Sequence, residues 1–165
     1  MQWDFVPVYY WKREDGRQRD QMKQAVRSLK QNIVEGSEER SLSSKLKLYD
    51  VARASGGELL EDYEDVLRLE GLPRWNKDDP RLRRLRSFFE PPSGPSLPSC
   101  SSILKIIQGN QKDQTEIIVN YLIDLGIRCG YLLDRQINAV EDKHKKEGGY
   151  NEKLLKRRLE HRRTL

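Results

Sequence analysis

Long apolar runs are missing from this sequence. No stretch approaches the roughly 18 consecutive apolar residues of a membrane-spanning helix, so the chain is expected to be soluble. Its opening residues, MQWDFVPVYYW, carry neither a basic leader nor a clean apolar stretch, and a cytoplasmic location is expected. Cysteine is scarce. Cys100 falls in a Pro/Ser-rich stretch and Cys129 in an apolar helical pattern, without a CxxC, so two free thiols are expected. The two histidines, His144 and His161, lack cysteine or carboxylate neighbours at metal-ligand spacing. An HExxH pair, a nucleophile elbow, a P-loop and a dinucleotide fingerprint are all absent. No catalytic residue, metal ligand or cofactor is therefore assigned, and the chain is read as a protein that is not an enzyme.

What is abundant is charge. Asp, Glu, Lys and Arg make up 35% of the 165 residues, while glycine and proline are concentrated in a few places. That combination favours long amphipathic helices in one all-α domain over a β-sandwich. The net charge of +5 is unevenly distributed. Residues 143 to 165 hold nine Lys/Arg against three Asp/Glu, so the basic excess belongs to the tail and the rest is close to neutral.

Periodicity divides the chain. Residues 1–19 are an aromatic-rich N-terminal segment in which Pro7 breaks any helix. A helical domain over 20–146 follows. Met22, Val26, Leu29 and Ile33 line one face of a helix capped by Asp20, with Gly36 expected as a left-handed stop. Ser41 or Ser43 is expected to cap a second helix carrying Leu42, Leu46, Tyr49, Ala52, Gly56, Leu60, Tyr63 and Leu67. Gly71 and Pro73 are expected to end it near Leu69. Within it, the small residues of ARASGG (52–57) predict either a close approach of another helix or a kink.

A short basic helix is expected from Asp79 or Pro80 to Phe89, and residues 90–102 read as a linker. Residues 103–108 form an apolar piece of undetermined type. A long helix from about Gln114 to Lys146 is expected to bury Ile118, Leu122, Leu125, Cys129, Leu132, Gln136 and Val140. Ile117, Tyr121, Ile127 and Tyr131 should widen that stripe. Gly148 and Gly149 set off a basic tail, 147–165, helical from Asn151 to Arg163.

Three clusters of cations are candidates for phosphate contact. Arg19, Lys23, Arg27 and Lys30 recur at helical spacing, beside the Met22/Ile33 face. Arg81, Arg83, Arg84 and Arg86 form the second cluster. Lys153, Lys156, Arg157, Arg158, Arg162 and Arg163 form the third. For the first stripe a solvated face is the alternative. Trp3, Tyr9, Tyr10 and Trp11 either stack on bases or dock the N-terminus on the helices. Glu58, Glu61 and Asp65 share a helix face with Asp62 and Glu64 nearby, but without Glu-x-x-His motifs this is read as a salt-bridging or solvated surface. Glu35 has no sequence partner for acid–base work, and at a helix C-terminus it should be offset by Arg40 or another helix.

DQMKQAVRSLKQNIVEGSEERS, followed by KLKLYDVARASGGELLEDYEDVLR, resembles a family of bacterial four-helix-bundle proteins. That family was first noted in intervening sequences of large-subunit ribosomal RNA genes. The accessory variability protein of diversity-generating retroelements is a more distant relative. N-I-x-E-G and A-x-A-S-x-x-E-L occur in order over residues 20–69, and NYLIDLGIRCGYLLDRQ with KEGGY adds a weaker match. The resemblance implies an antiparallel four-helix bundle assembling as a ring-like homopentamer. Glu35, Gly36, Leu42, Tyr49, Ala52, Ser55, Gly56, Leu60 and Tyr63 would then build the bundle and its subunit packing. It also implies binding of RNA and a reverse transcriptase through basic surfaces. The alternative is a protein–protein adaptor that does not bind nucleic acid.

Overall fold

A computed structural model describes residues 16–89 and 110–163. The aromatic segment up to residue 15, the 90–102 linker, the apolar piece 103–108 and Cys100 lie outside the described residues. Those described form five helices and no strand: α1 (Gly16–Glu38), α2 (Leu42–Leu69), α3 (Pro80–Phe89), α4 (Gln111–Glu147) and α5 (Tyr150–Arg163). The all-α expectation holds. No described helix is long and apolar enough to cross a membrane.

α1 begins four residues before Asp20 and continues through Gly36 to Glu38. Gly36 therefore does not supply a left-handed stop, and among the described glycines only Gly71 and Gly148 have positive φ. Its small size serves packing instead. A Cβ there would stand 2.5 Å from Cε1 of Tyr49, which is closer than real side chains approach. The corner after α1 is built from short polar side chains. Ser41 caps α2 by accepting from the Ser44 amide, and Glu39 accepts from the Ser41 amide at 2.9 Å. Lys45 Nζ donates to the Ser37 carbonyl at 3.1 Å, placing a cation at the electronegative end of α1. Glu35 is exposed and forms no side-chain hydrogen bond or ion pair among the described residues, so the expected offset by Arg40 is not made.

α2 ends where its glycine dictates. Gly71 adopts φ +59° and the Leu72 amide returns to the Leu67 carbonyl at 2.8 Å. The middle of α2 stays helical through Gly56 and Gly57, without a break. A Cβ on Gly56 would meet Leu29 at an ordinary 3.6 Å, and one on Gly57 nothing within 4 Å. The tight glycine lies on the partner helix. A Cβ on Gly126 would stand 2.6 Å from Leu60, so α4 yields room for that leucine.

α2 is the central helix, with α1 and α4 packed against it. Rising numbers on α1 meet falling numbers on α2: Ser28 bonds Ser55 at 2.8 Å, and Gly36 faces Tyr49. Likewise Leu60 meets Gly126, and Arg53 pairs with Asp134 at 3.1 Å. One core cluster joins Met22, Ala25 and Val26 to Leu59, Tyr63 and Val66, and to Ile118, Val119 and Leu122. A second joins Tyr49 and Ala52 to Leu133 and Ile137. Between them lies an apolar cleft of about 220 Å³, edged by Gly56, Gly57, Gly126 and Gly130.

The expected α4 stripe needs correction beyond Gly126. Leu133 and Ile137 are buried, whereas Leu132 and Tyr131 are about 60% exposed and Ile127 and Gln136 also face outward. In its first half α4 is buried nearly all round, because the 70–79 loop and α3 cover the side turned away from α2.

Candidate nucleic-acid interface

The α1 stripe is a surface feature of mixed freedom. Arg19 pairs with its neighbour Asp20 at 3.3 Å, and Arg27 Nε donates to Gln31 at 3.3 Å. Lys23 is half-buried and Lys30 exposed, neither with an ion pair among the described residues. Two of the four cations are thus unengaged.

Three of the four α3 arginines are engaged by other parts of the fold. Arg81 grips both Asp79 oxygens at 2.9–3.0 Å, reaches Glu116 at 3.1 Å and stacks 3.9 Å above the Trp75 ring. The Arg81 hydrogen bond holds the Asp79 carboxyl below its ordinary value. Arg86 forks onto Asp124, a carboxylate only 7% exposed that also takes Arg128. Arg83 donates to the Asp78 carbonyl, leaving Arg84 exposed and unengaged. The second cluster is therefore mainly a clamp on α4.

That clamp was not anticipated from sequence. Trp75 is buried at 3% exposure, with its amide on Asn120 Oδ1 and its indole N–H on Glu116, both at 2.7 Å. Asn120 returns a donor to the Pro73 carbonyl at 3.0 Å. A tryptophan in a polar loop, and an asparagine inside an apolar helical run, were the available signals.

α5 differs from both. It starts on its own cap, with Glu152 accepting from the Gly149 amide at 2.9 Å after Gly148 turns the chain at φ +73°. Lys153 pairs with Glu147 at 2.5 Å, holding that carboxyl below its ordinary value. Lys156, Arg157, Arg158, Arg162 and Arg163 are exposed and take part in no ion pair or side-chain hydrogen bond among the described residues. Leu155 and Leu159 stand exposed between them.

The acidic run faces a groove of about 560 Å³ between α1 and α2. Gln21, Gln24 and Ser28 line one wall, and Ser55, Glu58, Glu61, Asp62 and Asp65 the other. Asp65 pairs with Arg68, but Glu58, Glu61 and Asp62 have no cation among the described residues. Partial burial, then the neighbouring Asp65, Glu58 and Glu61 charges, push the Asp62 carboxyl above its ordinary value. Among the described residues, no group of His, Cys, Asp and Glu is placed to hold a metal ion. Burial raises the Cys129 thiol, which edges the apolar cleft.

The residues expected to build the bundle divide by position. Tyr49, Ala52, Ser55 and Tyr63 are buried; Leu42, Gly56 and Leu60 are half-buried. Gly36 is buried against Tyr49, while Glu35 beside it faces out. Comparison of the chain with protein-family models, with curated proteins and with solved structures gives no match in any of the three.

Proposed function

We propose that this chain is a non-enzymatic helical accessory protein that binds nucleic acid, RNA by its resemblance, through α5 and the α1 stripe. The observation carrying this reading is the state of α5. A run of exposed arginines and lysines that form no ion pair among the described residues matches a phosphate backbone, whose binding releases condensed counterions. Lys23, Lys30 and Arg27 extend the basic surface on another helix. Leu155 and Leu159 give α5 apolar contacts beside its charges.

By the same resemblance, α1, α2 and α4 supply three positions of an antiparallel four-helix bundle. The reading includes assembly as a homopentamer and service to a reverse transcriptase in the cytoplasm. RNA affinity measured against salt tests the binding directly. It should fall steeply with salt, and substituting the α5 arginines should lower both the affinity and the slope. Salt-independent binding, or binding untouched in α5 variants, contradicts the proposal.

A further inference from the structure

α5 and the acidic groove are surfaces of opposite charge on one chain, each with several charges that form no ion pair among the described residues. Five of the six Lys and Arg side chains on α5, Lys156, Arg157, Arg158, Arg162 and Arg163, are exposed and unpaired among the described residues, while Lys153 pairs with Glu147. The groove presents Glu58, Glu61 and Asp62 on one wall of α2, also unpaired. Elsewhere the described carboxylates of this fold are often matched by arginines, as in Asp79–Arg81, Asp124–Arg86 and Asp134–Arg53. Like charges held side by side without counter-ions repel one another, and docking of an opposite charge relieves that repulsion.

A chain's own α5 is too short to run the length of its own groove. Leu60 lies beside Gly126 and Arg53 beside Asp134, which sets Asp62 level with about residue 124 of α4. At about 1.5 Å per residue, α4 runs on for roughly 35 Å from that level to Glu147, whereas the 14 residues of α5 span about 21 Å. Folded straight back along α4, α5 stops short of Glu61 and Asp62.

We infer that helix α5 of one chain docks in the α1–α2 groove of a second copy, its arginines facing Glu58, Glu61 and Asp62. The wall opposite those acids is lined by the amides of Gln21 and Gln24 and by Ser28. These side chains leave the groove open and accept or donate hydrogen bonds to the incoming helix. Nucleic acid bound on α5 would occupy the same cations, so RNA and the second copy compete for one helix.

Charge exchange in the full-length, nuclease-treated protein tests this. The groove variant is Glu58→Lys with Glu61→Lys, both exposed positions; the helix variant is Arg157→Glu with Arg158→Glu and Arg162→Glu. Sedimentation at low salt should show self-association of the parent, weakened by about tenfold or more in each variant alone. An equimolar mixture of the two variants should associate again, because each reversed surface meets its complement. Circular dichroism should show unchanged helicity in both. A monomeric parent at low salt overturns the inference, as does association indifferent to both reversals or a mixture that stays apart. Association of the untreated protein that nuclease abolishes also overturns it, since RNA rather than the groove would then hold α5.

Discussion

A Cβ on Gly36 would stand 2.5 Å from Cε1 and 2.7 Å from Cδ1 of Tyr49, so the last turn of α1 packs directly on that ring. The ring belongs to the second core cluster with Ala52, Leu133 and Ile137. It cannot withdraw without opening that cluster. Gly36→Ala should therefore destabilise the protein by about 1–3 kcal/mol in urea titrations, despite alanine's better helix propensity. Tyr49→Leu in the same chain should recover part of the loss, giving a double-mutant coupling that separates steric conflict from backbone effects.

The other glycines divide by the space around them. Gly57 and Gly130 lie inside helices with nothing within 4 Å of an added Cβ. Alanine at either position should stabilise by about 0.5–1 kcal/mol. Gly126→Ala should do the reverse, because the new methyl meets Leu60. Thermal melts of the three variants check the ordering.

The Trp75 clamp should be costly to open. Asn120 is 1% exposed and serves both the Trp75 amide and the Pro73 carbonyl. Asn120→Ala leaves those buried groups without partners, at about 1–3 kcal/mol for each group left unsatisfied. Tryptophan fluorescence should red-shift as the Trp75 indole gains access to water. Unchanged emission with unchanged stability would contradict the clamp.

Acid titration should separate two carboxylates whose pKa values are shifted in opposite directions. The Asp62 pKa is raised, so its ionisation opposes folding as pH rises above the ordinary 3.8 and through the raised folded value. Asp62→Asn should raise the melting temperature at neutral pH and lose that advantage below about pH 3.8. Asp79 is lowered by Arg81, so its contribution is present above 3.8 and disappears as pH falls through the lower folded value. Asp79→Asn should lower the melting temperature at neutral pH and converge with the parent in acid.

Local signals in the sequence carry the ends of α2 well, but not those of α1, which starts before Asp20 and runs through Gly36. Ser41 caps α2 and Gly71 closes it, because both act through bonds within a few residues. Rotation of α4 was less legible. Leu132 and Leu133 are adjacent and equally apolar, and only the contacts of Gly126 with Leu60 and Asp134 with Arg53 choose between them. Gly36 was recognisable as special, but its reason is a ring from the next helix rather than its own backbone. The α3 arginines read as a free basic patch because Glu116 and Asp124 lie about thirty to forty positions away. Among the α5 cations Lys153 pairs with Glu147, and the other five have no such long-range partners among the described residues.

Nucleic-acid binding is tested most directly by titrating a labelled single-stranded RNA with the full chain over a range of salt. The parent should show log affinity falling linearly with log salt, by about 0.7 for each phosphate neutralised on a single strand. Arg157→Ala with Arg158→Ala and Arg162→Ala should reduce that slope by about two and weaken binding across all RNA sequences. A parent without measurable RNA affinity at low salt, or a slope the triple variant leaves unchanged, contradicts the account.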